Sequence, residues 1–299
     1  MSPSSASQQK SITWVVFWMA GALVCFSIMA VSLRGLAKVL NVFEMLSIRS
    51  GSGVLVLCAL LAMRPQLRHL IVPRRMGLHA LRNTVHFAAQ VCWAQSVVLL
   101  PLATVFALEF TTPVWVALLA VSILREPLTA ARSGTIVLGF IGVIVVLRPG
   151  FAAFQPAALL VLAAALGFGI ALTATKALTE TQSTFAILFW MNLMQLPMNL
   201  AGSDLLFLAK LSSEHILPAV GVAVSGVASH YCLTNAFRSG DAVFVVPLDF
   251  LRVPLIAFVG WWVYAEALDP FVFLGAGLII AGIVWNLLAE ARRSSRPAS

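Results

Sequence analysis

The sequence predicts an all-α integral membrane protein: ten transmembrane helices arranged as two inverted five-helix repeats. Three observations carry this. Of the 299 residues, 61% are hydrophobic and 10% charged, with a mean hydropathy of +0.98, far from the balance of a soluble domain. Apolar stretches of about 20 residues, the length that crosses a hydrocarbon core of roughly 30 Å, recur from end to end. A shift of 140 residues superposes Cys92 on Cys232, Glu109 on Asp249, Phe110 on Phe250, Glu126 on Glu266, Leu128 on Leu268 and Gly142 on Gly282, and brings Pro113 within one residue of Pro254.

Helix 1, 12–33, follows the polar MSPSSASQQK and is long enough to span, so it reads as a retained helix and not a cleaved signal peptide. Helix 2, 42–63, carries Arg49 inside an apolar run. After the basic loop 64–76 comes helix 3, 77–98, where Arg82, His86 and Gln90 recur at steps of four with Asn83 alongside, a polar stripe on one helical face. Helix 4, 101–123, contains ALEFTTPVWVALL with Glu109, Thr112, Pro113 and Trp115, and helix 5, 133–148, is apolar and contains GFIG. The short hinge RPGFAAFQP leads into helix 6, 155–175, and helix 7, 184–206, adds Asn192 and Gln195. Helix 8, 214–236, has Ser225 and Ser229 four apart, a small-xxx-small pattern suited to close helix packing, with His230, Tyr231 and Asn235 beside them. Helix 9, 242–264, repeats the acid and proline of helix 4 as Asp249 and Pro254, and helix 10, 270–289, closes the chain.

The repeats are therefore 12–148 and 155–289, and 1–11 and 290–299 are cytoplasmic tails. Five crossings bring a unit out on the side opposite its start, so the second copy enters the membrane upside down. Inverted repeats are the mark of alternating-access carriers. With the N-terminus inside, thirteen Lys and Arg residues from Lys10 to Arg296 fall on the cytoplasmic side, against Arg34, Lys38, Arg148 and Lys210 outside. The net charge of +8 thus reports the positive-inside rule, and no nucleic-acid partner is needed to explain it.

The stretch WAQSVVLLPLATVFALEFTTPVWVALLAVSILREPLT (93–129), GFIG (139–142), and in the second half Pro254, YAEAL (264–268) and GAGLIIAG (275–282), resemble the drug/metabolite transporter superfamily and its EamA domain. The ten helices and QVCWAQS (90–96) are similar to the YddG-type exporters of aromatic and other amino acids. The resemblance implies a basket of ten helices, a cavity lined by helices 1, 3, 4, 6, 8 and 9, and packing roles for helices 5 and 10. It further implies a secondary transporter of the bacterial inner membrane, both termini cytoplasmic, exporting small metabolites, amino acids foremost. Cationic drugs are the alternative cargo. Nothing in the sequence demands a second chain, and a monomer accommodates the reading.

Ionised acids inside a membrane helix cost roughly 2.5–3.5 kcal/mol on insertion scales, so Glu109 and Asp249 should face a cavity or a cationic partner. Arg49 and Glu109 lie at similar depth from the outer face, which allows them to meet. Asp249 and Arg252 are three apart on one helix face, a second pair, and His230 lies at a depth that allows contact with Asp249. These pairs serve either as packing salt bridges or as ligands, Arg for a substrate carboxylate and the acids for an ammonium group or a proton. His86, Gln90, Asn83, Trp93, Thr112, Trp115, Asn192, Tyr231 and His230 complete the candidate cavity. His86 titrates near neutral pH and is a conceivable proton carrier. Trp93, Trp115 and Trp190 either stack on an aromatic or cationic substrate or fill the core, while Trp14, Trp261 and Trp262 fit an interfacial belt. Pro113 and Pro254 are expected to bend their helices beside the acids. Glu126 and Glu266 are expected to cap the backbone N–H groups that open the following helices.

Other classes are poorly served. There is no G-x-x-x-x-G-K-[ST] loop, no H-E-x-x-H and no G-x-S-x-G, so neither ATP-driven transport nor a membrane-embedded hydrolase is indicated, and no cofactor is implied. Cys25, Cys58, Cys92 and Cys232 show no close-spaced metal pattern and read as small apolar residues. A channel is the remaining alternative.

Overall fold

A computed structural model describes residues 5–99, 105, 108–109, 111–147, 157–252, 255, 258 and 270–294, and among them all regular secondary structure is helical. The helices are α1 (Ser5–Leu36), α2 (Val42–Met63), α3 (Met76–Leu99), α4 (Thr112–Leu119), α5 (Ala130–Leu147), α6 (Ala157–Thr179), α7 (Thr184–Leu200), α8 (Ser213–Ser239), α9 (Ala242–Val245) and α10 (Pro270–Ser294). Four of these contain stretches long and apolar enough to cross a membrane: Ile12–Leu36, Val42–Met63, Ala157–Thr179 and Ser213–Ser239.

The polarity of the molecule is inverted relative to a soluble bundle. On α2, Arg49 is 1% exposed while Leu55 is 73% exposed. That arrangement suits lipid outside and a polar interior. The main packing pairs are α1 with α8, α3 with α6, α2 with α7 and α5 with α10. This pattern maps onto itself when the two halves of the chain exchange, since the first and third helices of one half pack on the third and first of the other.

Local chemistry explains several boundaries. Asn41 and Glu44 form a capping box that opens α2, the Glu44 N–H donating to Asn41 Oδ1 and the Asn41 N–H to Glu44 Oε2; this satisfies two donors that a helix start would otherwise leave bare. Ser183 caps α7 by accepting from the Ala186 N–H.

Several expectations are corrected. Helix α1 begins at Ser5, though its apolar membrane-length stretch starts at Ile12, and α10 runs to Ser294, beyond the expected end at 289. Helix α7 stops at Leu200, not 206, and a 3₁₀ turn, Phe207–Lys210, follows. The fourth and ninth segments are not uniform helices. A turn at Thr111 precedes α4, which passes into a π-helical turn, Ala120–Leu124, while α9 passes into 3₁₀ helix over Val246–Leu251. Pro113 falls in the first turn of α4, where a missing N–H costs no helical hydrogen bond. Helical Leu108 and Glu109 precede the turn at Thr111, and Thr112 Oγ1 takes up the Glu109 carbonyl.

Contacts fasten the halves at both ends. At one end, Lys210 Nζ lies 2.6 Å from Glu44 and 3.5 Å from Asp204, and Ser47 meets Ser203 at 2.9 Å. The hydrogen bond to Glu44, with the Asp204 carboxylate adding to it, holds the Lys210 ammonium above the usual lysine range. At the other end, Arg132 donates to Asp241 at 2.7 Å, and Glu126 Oε1 accepts the Ala242 N–H at 3.0 Å. Glu126 therefore caps a helix start as expected, but that of α9 in the other half and not the next helix in the chain. Glu266 and Pro254 lie outside the described residues.

Helix α5 approaches α10 closely because Gly142 presents no side chain. A Cβ there would meet the Gly275 carbonyl oxygen and Ile279 Cγ1, each at 2.7 Å. Backbone cannot yield as a side-chain tip does, so Gly142→Ala is expected to cost about 1–2 kcal/mol net, overpacking exceeding the gain in helix propensity. Gly277→Ala on α10, with nothing within 4 Å, serves as control in thermal unfolding. Equal melting temperatures for the two variants would refute the account.

Candidate functional site

Two buried polar clusters straddle the halves. The first is built on α3, whose residues Arg82, His86, Gln90 and Trp93 follow one face at helical spacing. Arg49 reaches it from α2. Its Nη1 donates to His230 Nε2 at 3.0 Å, and its Nη2 donates to Gln195 Oε1 at 2.6 Å and Gln90 Oε1 at 3.1 Å. Gln195 in turn lies 2.9 Å from His86 Nδ1 and donates to the Asn83 carbonyl at 3.3 Å. Arg82 donates to Thr175 Oγ1 at 3.1 Å and to Asn83 Oδ1 at 2.8 Å. The His86 and His230 rings stand T-shaped at 5.1 Å, with Phe168 at 5.9 Å from His86.

This cluster carries two guanidinium groups, and among the described residues neither meets a carboxylate. Arg49 is 1% and Arg82 3% exposed, and Arg49 Nε has no hydrogen-bond partner among the described residues. A buried cation held by neutral partners alone is costly. Such a site favours an anion.

The second cluster has the opposite residual charge. Arg252 Nη2 donates to Glu109 Oε1 at 2.6 Å and to Asp249 Oδ2 at 2.9 Å, and Trp93 Nε1 donates to Glu109 Oε2 at 2.6 Å. Among the described residues two carboxylates share one guanidinium, so with both acids ionised the three side chains carry one net negative charge. Asp249 is the more open acid, with 26% of its side chain exposed against 7% for Glu109. The Phe26 ring joins the clusters, 5.8 Å from Arg252 Cζ and 6.0 Å from the His230 ring.

The structure thus brings together Arg49, His86, Gln90, Asn83 and His230 in one cluster and Trp93, Glu109, Asp249 and Arg252 in the other. The Arg49–Glu109 contact that equal depth allowed does not form; Glu109 takes Arg252 instead. Equal depth along the membrane normal says nothing about azimuth, and α2 packs on α7 and α8 while α4 packs on α6. His230 likewise meets Arg49 and not Asp249. The Asp249–Arg252 pair holds at its three-residue spacing.

Four candidates stand apart. Tyr231 is 45% exposed and packs edge-on against Trp18 at 5.6 Å. Trp115 is 37% exposed and backs Gly169. Asn192 donates to the Leu188 carbonyl and fills the space left by Gly53, which makes it a packing residue. Thr112 Oγ1 donates to the Glu109 and Ala165 carbonyls, securing backbone where the helix breaks. Trp190 is partly buried, its Nε1 without a partner among the described residues, while Trp261 and Trp262 lie outside the described residues. Gln195, for which the sequence favours neither packing nor lining, is the hub of the first cluster. Its signal in the sequence was an amide within the apolar run LFWMNLMQLPM.

The family model of the EamA-like transporter family matches twice, over residues 13–148 and 155–288. A riboflavin transporter of Brucella anthropi is 32% identical over 232 residues, covering 74% of this chain and 80% of that protein. An S-adenosylmethionine uptake transporter of Rickettsia prowazekii is 25% identical over 280 residues, covering 94% of each chain. One solved crystal structure superposes with a TM-score of 0.76 at 16% identity, over 98% of this chain and 100% of its own, a likeness of fold.

Proposed function

Since the chain belongs to the EamA-like transporter family, within the drug/metabolite transporter superfamily, we propose that it is a secondary carrier for zwitterionic metabolites, amino acids and compounds bearing an amino-acid group. The observation that carries this is the opposition of charge between its two clusters. The Arg49 cluster suits a carboxylate, and Glu109 with Asp249 suits an ammonium or other cationic centre. The Rickettsia relative's named cargo, S-adenosylmethionine, bears both kinds of charge.

Alternating access is the mode that the exchange-symmetric packing supports, with the contacts at the two ends opening in turn around the clusters. The excess of basic residues on one side supports cytoplasmic termini in an inner membrane. A carrier of this kind runs either way, so cargo gradients and coupling decide between uptake, the direction in the relative's name, and export.

Proteoliposomes loaded with radiolabelled amino acids, S-adenosylmethionine, riboflavin, a quaternary ammonium compound or a sugar test the reading. Saturable counterflow is expected for one or more zwitterions, with Arg49→Lys weakening it at least tenfold because one ammonium does not reproduce the guanidinium fork. Transport of riboflavin with every zwitterion inert would replace the cargo assignment by the one in the Brucella relative's name.

A further inference from the structure

The partners of the two central histidines dictate their protonation. An arginine side chain carries only N–H donors, so His230 Nε2, 3.0 Å from Arg49 Nη1, must accept. Its proton then sits on Nδ1 and the ring is neutral. Gln195 Oε1 takes Arg49 Nη2, which leaves Gln195 Nε2 to donate to the Asn83 carbonyl and to His86 Nδ1. His86 accepts and is neutral as well.

The charged and titratable groups around His230 are Arg49 from α2, Arg82 and His86 from α3 and, beyond the Phe26 ring of α1, Arg252 with Glu109 and Asp249. Helices α6 and α7 bring the neutral Phe168 and Gln195. A proton on His230 Nε2 and an Arg49 N–H at the same atom exclude one another, because two donors would face at hydrogen-bond distance. Arg49, like Arg82, is a buried cation without an acid among the described residues, and its Nε is also unpartnered there. The group that must leave before a proton binds is the group that a carboxylate would attract.

We propose that Arg49 and His230 form a proton-linked carboxylate site: a substrate carboxylate draws the Arg49 guanidinium off His230, and the vacated Nε2 takes one proton from the same aqueous face. Substrate and proton cross together. On release Arg49 returns to Nε2, the proton leaves to water, and one positive charge has crossed with each zwitterion. The carboxylate half rests on the zwitterion reading above; the exclusion of a proton by Arg49 does not.

Two arms separate these. In ligand-free protein labelled with ¹⁵N-histidine, wild-type His230 is expected to keep Nε2 unprotonated between about pH 5 and 8. Arg49→Gln is expected to show a doubly protonated ring at the acid end of that range, absent when His230→Gln is added. Identical His230 signals in wild type and Arg49→Gln would overturn the proposal. In proteoliposomes with an internal pH dye, labelled S-adenosylmethionine and L-phenylalanine serve as probes. About one proton per substrate is expected for wild type, with the ratio falling toward zero in His230→Gln whatever flux that variant retains. Wild-type flux without protons, or an unchanged ratio in His230→Gln, also overturns the proposal. Should His230→Gln not fold, the wild-type ratio and the Arg49→Gln spectrum decide. If neither probe moves, the zwitterion reading fails and the spectra alone decide the exclusion.

Discussion

Arg252→Ala is expected to lower stability by about 3–5 kcal/mol, the cost of breaking a buried ion pair by removing one partner. Arg252 bridges Glu109 and Asp249 at 2.6 and 2.9 Å, and its own side chain is only 12% exposed. Without it, two carboxylates face each other, with Trp93 Nε1 still donating to Glu109. At roughly 2–4 °C per kcal/mol for a chain of this size class, thermal unfolding in nanodiscs should shift down by about 10 °C. Arg252→Lys should recover only part of this, since a single ammonium cannot reproduce contacts to two acids made from a planar fork. Adding Glu109→Gln and Asp249→Asn to Arg252→Ala should recover more, because the groups left behind are neutral. A shift of under about 2 °C for Arg252→Ala, or no recovery in the triple variant, would show that charge is not what holds this cluster.

How much of that cluster was legible in the sequence follows from what linear spacing encodes. Asp249 and Arg252 are three apart, and helical geometry alone places them on one face. The Arg82, His86 and Gln90 stripe is legible for the same reason, and Trp93 extends it by one further step. Partners from different helices are another matter. Arg49 and Glu109 share a depth but belong to helices with different neighbours, and only the packing of α2 on α7 and α8 explains why Arg49 finds Gln195 and His230.

Proline carries a similar lesson. Pro113 was legible as an interruption, but nothing in the sequence showed that Thr112 takes up the Glu109 carbonyl beside it. Glu126 was legible as a cap, yet the helix it caps is 116 residues away in the chain. Small residues conceal most. Gly226 was not singled out at all, because nothing in its local sequence shows that the stem of Arg49 lies against it.

That glycine carries a prediction about function with little change in stability. A Cβ at Gly226 would overlap Arg49 Cγ and come within 3.1 Å of its Cδ. These atoms are the root of the side chain and not its tip, so the guanidinium itself must shift, and with it the bonds to His230, Gln195 and Gln90. Overpacking of this kind costs roughly 1–3 kcal/mol, partly offset by the gain of about 1 kcal/mol from replacing glycine inside a helix. Gly226→Ala should therefore fold and insert normally. If the position of Arg49 sets the anion site, the same few kcal/mol appear in transport, where each 1.4 kcal/mol is about tenfold. A loss of roughly 10- to 100-fold in zwitterion counterflow is expected. Gly77→Ala, where nothing lies within 4 Å, should transport as wild type. Wild-type counterflow in Gly226→Ala would mean that Arg49 does not contact the cargo, and the charge assignment of the two clusters would have to be rebuilt around Arg82.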